Sequence, residues 1–264
     1  MKLHILANWK MNMLRAQASI FMKQFFDLFD ARKIDFSETY IGIAPPYTSL
    51  DVVREAIESS EDLSQIVHLG AQNVHWLNTG AHTGEISAKM LEEARAKFCI
   101  IGHSERRQYY GETDEVVARR TLAAVENCLT AVVCVGESAE QFKAKVTANV
   151  IERQIEAAFK DFSTLRNLTQ YLVVAYEPVW AIGTGLAATP EIATSVHTHI
   201  RKLLKGIFGE DLSKEIPIVY GGSTNPANIG ELCAQKNIDG ALVGGASLDP
   251  NGLFQLIINA KAAG

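Results

Sequence analysis

Short, nearly continuous hydrophobic runs alternate along this chain with longer stretches in which apolar residues recur every three or four positions. Such runs are typical of parallel strands covered on both faces, because half-exposed strands alternate apolar and polar residues. The intervening stretches indicate amphipathic helices, as in the stripe Leu14, Ala18, Phe21, Phe25 and Leu28. Eight strand-like runs occur, at His4–Lys10, Tyr40–Ala44, Val67–Ala71, Phe98–Ile101, Ala131–Val135, Leu172–Glu177, Ile216–Tyr220 and Gly240–Gly244.

Helix-start signals agree with this division. Thr189-Pro190-Glu191 has the order of an N-cap, an N1 proline and a first-turn acid. Ser138 with Gln141, and Thr48 with Asp51, have the spacing of a capping box. The sequence therefore predicts strands and helices in strict alternation.

Eight strand–helix repeats without a break in composition predict an α/β protein, a closed (β/α)₈ barrel. We expect one domain over residues 1–264, because α/β barrels of this length form a single domain. An open, doubly wound parallel sheet is the alternative that the same pattern allows.

Composition narrows the class of partner. The formal net charge is −5, which argues against a nucleic acid or an anionic membrane as partner. No apolar run is long enough to span a membrane, and the N-terminal run is too short for a signal peptide. The four cysteines form no C-x-x-C pair and no zinc spacing. We expect a cytoplasmic protein with reduced thiols and no metal site.

Unusual residues stand where a barrel carries its functional groups, at the carboxyl ends of strands. Asn8 and Lys10 end the first run two positions apart, so both lie on one face of the strand and Trp9 lies on the other. A lysine at an inner strand end is costly to bury unless it meets an anion. The alternative is that Lys10 already lies in a solvated loop.

The fourth and sixth runs end in titratable residues. Ser104 is a candidate N-cap, which would place His103 at the positive end of a helix and favour its neutral form. A purely structural histidine is the alternative, and Glu105 beside two arginines fits an ion-pair network as well as an acid catalyst. Glu177 stands at the mouth of the barrel, where desolvation would raise its basicity. A strand-end salt bridge is the alternative there.

Glycine-rich segments follow the last three strands, at Gly183-Thr184-Gly185, Gly221-Gly222-Ser223 and Gly244-Gly245. Backbone N–H groups in such loops can approach a phosphate closely, and barrels often bind phosphate after strands seven and eight. The segment 183–188 also matches the dinucleotide pattern G-x-G-x-x-A. Its first glycine comes six positions after Glu177 and not in a tight strand–helix turn, so we reject a nucleotide site.

Eight segments stand out along the chain: Asn8-Trp9-Lys10, Ala71-Gln72-Asn73-Val74, Thr83-Gly84-Glu85, Ile101-Gly102-His103-Ser104-Glu105-Arg106-Arg107, Cys134-Val135-Gly136-Glu137, Ala175–Gly185, Tyr220-Gly221-Gly222-Ser223 and Val243-Gly244-Gly245-Ala246-Ser247. They resemble, in family order and over nearly the whole chain, the signatures of the triosephosphate isomerase family. The resemblance implies a TIM barrel that interconverts dihydroxyacetone phosphate and glyceraldehyde 3-phosphate through an enediolate, without a cofactor or metal. The segment around Glu177 is the most specific of them.

The resemblance implies a role for each polar residue at the strand ends. Glu177 would be the base and neutral His103 the group that polarises the carbonyl and relays a proton between the two oxygens. Lys10 would supply positive charge, Asn8 would orient the substrate, and Glu105 would orient Lys10. Such groups stabilise an enediolate more strongly than the ground state.

The same resemblance implies a phosphate site and a lid. The backbones of Gly183, Ser223, Gly244 and Gly245 would hold the phosphate. The lid would be latched by Trp180 to Glu137 and by Tyr220 at its far hinge, and Ser104 would hold Glu177 in the absence of substrate. Leu186 replaces the lysine common in the family, so altered lid kinetics are expected. The lid residues are Pro178, Val179, Trp180, Ala181, Ile182, Thr184 and Gly185.

A long loop over 75–85 is the implied dimer contact. By resemblance it docks into a second copy of the chain through Thr83, Gly84 and Glu85, with Thr83 near the partner's Asn8. Three rivals remain: a sugar-phosphate epimerase on a similar barrel, a metal-dependent isomerase, and a catalytically silent homologue acting as a binding protein.

Overall fold

Eight parallel strands close into a barrel in the order of the chain, and the last strand pairs with the first. The computed structural model describes residues 2–31, 34–162, 165–182 and 188–263. Closure is explicit in the register of β1 with β8, where His4 pairs with Gly240 and Ala7 with Val243. The strands are β1 Leu3–Asn8, β2 Thr39–Ala44, β3 Val67–Ala71, β4 Phe98–Ile101, β5 Thr130–Val135, β6 Leu172–Tyr176, β7 Ile218–Tyr220 and β8 Gly240–Val243.

Helices cover the outside of this barrel. Short 3₁₀ turns occur at Tyr47–Ser49, Leu63–Gln65, Arg166–Tyr171, Val179–Ala181 and Gly245–Leu248. The α-helices of the described ranges are α1 Arg15–Asp30, α2 Leu50–Glu58, α3 Ala88–Glu93, α4 Ser104–Tyr110, α5 Asp114–Glu126, α6 Ala139–Lys143, α7 Thr147–Phe159, α8 Pro190–Phe208, α9 Glu210–Glu215, α10 Ile229–Cys233 and α11 Pro250–Ala263. Within these ranges, none of the helices combines the length and the apolar character needed to span a bilayer.

The predicted strands are confirmed, and the open-sheet alternative is wrong because β8 returns to β1. Most ends agree with the prediction to within one residue, and two differ from it by two residues. β1 stops at Asn8 because the backbone turns left-handed at Lys10, where φ is 52°. β7 begins at Ile218 and not at Ile216, since Pro217 has no N–H to give to a strand ladder.

Alternate residues of each strand face the barrel interior, as the two-residue period of a strand requires. Phe98 fills this interior so closely that a Cβ placed on Gly70 would lie 2.1 Å from its ring. The other residues of the strands pack against the helices in a larger core. The interior set is Leu6, Ala44, Phe98, Ile100, Val132, Cys134, Val173, Ala175, Val219 and Leu242.

The helix signals were right in part. Thr189 caps α8 with Pro190 at N1, and Ser138 forms the predicted capping box with Gln141. Thr48 is not a cap, because it lies inside a 3₁₀ turn. The stripe on α1 is shifted: Leu14 is 75% exposed, and the buried residues are Ala18, Phe21, Met22, Phe25 and Phe29.

Candidate active site

A pocket of about 470 Å³ opens at the carboxyl ends of the strands. It brings together eight of the residues that the sequence analysis placed in the site, which arrive from β1, β4, β6, β7 and β8. Val179 and Ile182 of the predicted lid line it too. The eight residues are Asn8, Lys10, His103, Glu105, Glu177, Ser223, Gly244 and Gly245.

Glu177 extends into this pocket from the end of β6. It shares the inward parity of Val173 and Ala175, and it is only 2% exposed. Its Oε2 accepts a hydrogen bond of 2.8 Å from the backbone N–H of Ser104, as predicted, and its Oε1 lies 3.0 Å from Nε2 of His103. The carboxylate therefore faces the imidazole and not solvent.

Opposing effects act on the pKa of Glu177. Burial raises the pKa, but the charge and hydrogen bond of His103 and the N–H of Ser104 lower it by more. The pKa of Glu177 therefore lies below its ordinary value in this arrangement. Desolvation alone, as considered from the sequence, would have given the opposite direction.

His103 is itself the N-cap of α4, which corrects the assignment of Ser104 to that position. Its Nδ1 accepts from the backbone N–H of Glu105 at 3.3 Å. A ring nitrogen that accepts carries no proton, so this hydrogen bond places the proton of a neutral ring on Nε2, towards Glu177. Burial lowers the pKa of His103, but the charge and the hydrogen bond of Glu177 more than offset this and raise it. This direction is opposite to the one expected from the position of His103 at a helix end, because the sequence did not show that Glu177 faces the ring.

Lys10 is fixed at three points. Its N–H donates to Oδ1 of Asn8 at 3.0 Å and its carbonyl accepts from Nε2 of Gln72 at 2.8 Å. Its ammonium lies 2.6 Å from Oε1 of Glu105, with 28% of the side chain exposed. A Cβ on Gly244 would lie 3.4 Å from Cε of Lys10, so the lysine borders the glycine loop after β8. Lys10 is therefore partly buried and paired with a carboxylate, and the alternative of a fully solvated loop is wrong.

Glu105 does not join the arginines that follow it in the chain. Arg106 binds Glu112, and Arg107 binds Asp114 at 2.6 Å. Because Arg106 and Arg107 pair with these carboxylates, Glu105 pairs with Lys10 instead. The ion-pair network suspected from the sequence exists, but Glu105 lies outside it.

Both ends of the predicted lid are anchored to the barrel. Trp180 Nε1 donates to Oε1 of Glu137 at 2.8 Å, and the Tyr176 hydroxyl donates to the same oxygen at 3.1 Å. The N–H of Ala188 donates to the Tyr220 hydroxyl at 3.1 Å. Pro178 precedes the first anchor and Ala181 follows it, while Gly183, Thr184, Gly185 and Leu186 are outside the described residues.

The loop over 75–85 projects from the barrel mouth, and Thr83, Gly84 and Glu85 are all exposed. Its start is held by a 2.8 Å hydrogen bond from the N–H of His75 to the carbonyl of Ile86. The buried Arg120 lies 3.7 Å from Glu85. The three predicted contact residues thus stand apart from the pocket of their own chain.

Several residues at the site carried no sequence signal of their own. A Cβ on Gly136 would lie 1.7 Å from the carbonyl oxygen of Glu177, so only glycine fits beside the backbone of Glu177. Gln108 and Tyr109 line the pocket mouth, and Gln72 binds the backbone of Lys10. Gly136 and Gln72 lie inside family-like segments, whereas nothing in the sequence marked Gln108 or Tyr109.

Within the described ranges, no group of three or more His, Cys, Asp or Glu side chains has the arrangement of a metal site. The prediction that the reaction needs no metal stays a prediction.

Comparison with known proteins identifies the family. The family model described as triosephosphate isomerase matches residues 3–261. A triosephosphate isomerase of Clostridium botulinum is 44% identical over 255 residues, covering 97% of this chain and 98% of the relative. Those of Dictyoglomus turgidum and Mycoplasmopsis pulmonis are each 42% identical, over 96% and 97% of this chain and 97% of each relative. The chain belongs to the triosephosphate isomerase family.

Proposed function

We propose that this chain interconverts dihydroxyacetone phosphate and D-glyceraldehyde 3-phosphate, a step of glycolysis and gluconeogenesis, with Glu177 as the base and His103 as the neutral electrophile. The observation that carries this assignment is the approach of the Glu177 carboxylate to Nε2 of His103 at 3.0 Å, in a pocket shared with Lys10. The family of the chain supports the substrate and the reaction.

The reaction moves protons and no electrons leave the substrate. Glu177 takes a proton from the carbon next to the carbonyl, which leaves an enediolate, and returns it to the neighbouring carbon. His103 donates its Nε2 proton to one enediolate oxygen and recovers a proton from the other. The neutral tautomer suits this role, since an imidazole N–H is better matched in pKa to the enediol than an imidazolium is.

Lys10 places positive charge beside the developing oxyanion and the phosphate. Glu105 holds the ammonium in the pocket at 2.6 Å, and Asn8 binds both the backbone of Lys10 and, in this proposal, the substrate. The left-handed backbone at Lys10 turns the chain away from β1, so the side chain can reach over the glycine loop at Gly244.

The phosphate end of the substrate lies, in this proposal, against the backbone N–H groups of Gly183, Ser223, Gly244 and Gly245. Ser223, Gly244 and Gly245 line the same pocket as the carboxylate. The lid over residues 178–188 then closes on the phosphate and excludes water, which suppresses loss of phosphate from the enediolate.

We also assign the chain to a homodimer in which the loop over 75–85 enters the mouth of a second copy. Two observations support a preformed docking loop: Thr83, Gly84 and Glu85 are exposed, and the ring of His75 stacks on Trp76 at 4.2 Å and contacts His82 at 4.5 Å. Activity measured on dilution, alongside gel filtration, tests this. A fully active monomer would contradict the dimer.

Three coarser assignments complete the proposal. The barrel forms one domain over residues 1–264, the protein acts in the cytoplasm, and neither nucleic acid nor a membrane is its partner. The closure of β8 on β1 supports the single domain, and the net charge of −5 argues against a nucleic acid or an anionic membrane as partner.

Turnover of glyceraldehyde 3-phosphate, coupled to a reductase and run with excess chelator, tests the function. Glu177→Gln is the matched variant, because an amide oxygen still accepts from Ser104 N–H but is not a base. We expect fast wild-type conversion, unaffected by chelator, and a loss of about 10³ or more in kcat in the variant. An inactive but folded wild type would favour another sugar phosphate or a silent homologue, and inhibition by chelator would favour a metal enzyme.

A further inference from the structure

Two tyrosines hold the two ends of the proposed lid. The hydroxyl of Tyr176 donates to Glu137, which also accepts from Trp180 at the start of the lid. The hydroxyl of Tyr220 accepts from the N–H of Ala188 at its end. The position of these two rings therefore sets where the lid leaves the barrel and where it returns.

The two tyrosines share one packing partner behind the sheet. Tyr176 and Tyr220 are register partners of β6 and β7, and both fully buried rings face the helices. Their centroids lie 6.4 Å apart. His197 of α8 packs against both: 5.9 Å from Tyr176 at an interplanar angle of 84°, and 6.5 Å from Tyr220 at 33°.

The orientation of His197 is set away from the lid. Its Nδ1 lies 2.7 Å from the carbonyl oxygen of Asn237, so Nδ1 carries the proton. Its Nε2 is buried and has no hydrogen-bond partner among the described residues. Burial lowers the pKa of His197 to about 4, so the ring is neutral at pH 7.

The segment that leads into β8 is hydrogen-bonded to α8, the helix that carries His197. One turn after His197, Arg201 donates to the carbonyl of Ile216 at 2.6 Å and to Asp239 at 2.9 Å. Asn237 adopts a left-handed backbone with φ of 64°, which points its carbonyl at the imidazole. His197 is therefore anchored to the β7–β8 side of the barrel.

We propose that His197 is a positioning residue for the lid: its ring holds Tyr176 and Tyr220 in the orientation that places both lid hinges. It touches neither substrate nor the reacting groups, and it acts only through the two tyrosines. This role rests on the proposed isomerase function, since the lid matters only for a phosphorylated substrate.

Two variants distinguish the effect of the His197 ring from the effect of its hydrogen bond to Asn237. His197→Asn keeps a donor for the Asn237 carbonyl and removes the ring, whereas His197→Phe keeps a ring and removes the donor. His199→Asn, two residues along the same helix, is the control. For each protein, kcat/KM is measured with glyceraldehyde 3-phosphate and with glyceraldehyde, which has no phosphate for the lid to hold, together with the inorganic phosphate released per turnover.

We expect His197→Asn to lower kcat/KM for the phosphorylated substrate by about tenfold, to leave that for glyceraldehyde unchanged and to release more inorganic phosphate. His197→Phe should keep the wild-type ratio of the two substrates even where it lowers the melting temperature. Equal losses on both substrates in folded His197→Asn, which would leave the ratio of the two substrates at its wild-type value, would overturn the positioning role. A wild type that does not turn over the triose phosphate would instead refute the proposed function, and the positioning role with it.

Discussion

The carboxylate of Glu177 and the imidazole of His103 lie 3.0 Å apart, with the carboxylate also held by the N–H of Ser104. Each of these contacts stabilises the charged carboxylate and lowers its pKa. A base in this arrangement must give up at least part of this hydrogen bonding to reach a substrate carbon. The two groups that the reaction needs are thus paired before it begins.

Replacing His103 by Gln tests the electrophile. We expect kcat to fall by a factor of about 10² to 10³, the usual effect of removing one donor to a developing oxyanion. The variant also loses the group that lowers the pKa of Glu177, so the acidic limb of the kcat/KM profile should move to higher pH. A pH–rate series with His199→Gln as control measures both effects. An unshifted acidic limb would show that His103 does not control the base.

Variants of Lys10 and Glu105 distinguish the effect of the positive charge from the effect of holding that charge in place. Lys10→Met removes the cation, so kcat/KM should fall by a factor of about 10² to 10³. Glu105→Gln keeps the cation and only loosens it, so we expect a loss of about tenfold. Steady-state kinetics on both variants tests whether the loss is larger for Lys10→Met than for Glu105→Gln. The control is Lys23→Met, in the exposed Lys23–Asp27 pair. Equal losses would mean that Glu105 acts on the substrate directly.

Tyr220→Phe removes a single hydroxyl from the lid anchor at Ala188 and leaves the ring in place. Loss of this hydrogen bond should lower kcat/KM for the triose phosphate by up to about tenfold and increase the phosphate released per turnover. Tyr110→Phe, at an exposed position, is the matched control. If phosphate release stayed at the wild-type level, the hydroxyl would not contribute to lid closure.

His68 should make the fold sensitive to acid. Its ring stacks on Tyr40 at 4.2 Å, and burial, followed by the charges of Lys2, Lys97 and His4, lowers the pKa of His68 to about 4 from an ordinary 6.5. The unfolded chain therefore binds more protons between pH 6.5 and 4, so the free energy of unfolding falls as the pH falls through this window.

Urea unfolding at several pH values measures this dependence. We expect His68→Gln to reduce the slope of unfolding free energy against pH by up to about 1.4 kcal/mol per pH unit, the limit for one proton. His199→Gln, at a partly exposed position of α8, is the control and should leave the slope unchanged. If the slope of unfolding free energy against pH were the same in His68→Gln as in the wild type, groups other than His68 would cause the acid sensitivity.

The sequence by itself determined the elements and the faces on which the site residues lie. The two-residue period of a strand puts Asn8 on the same face as Leu6, and Glu177 on the same face as Ala175. These relationships are local: they follow from backbone geometry and need no knowledge of what the strand packs against. The family-like segments could be identified for the same reason, as each is a short contiguous run.

Only the tertiary structure decided which groups meet. Glu105 pairs with Lys10, 95 residues away, and not with the arginines next to it, because Glu112 and Asp114 lie closer to those arginines in space. His103 caps its own helix, which no spacing rule distinguished from a cap at Ser104. His197 lies behind both lid tyrosines only because β6 and β7 are neighbours under α8. Such pairings depend on distances across the closed barrel, and a one-dimensional pattern does not contain those distances.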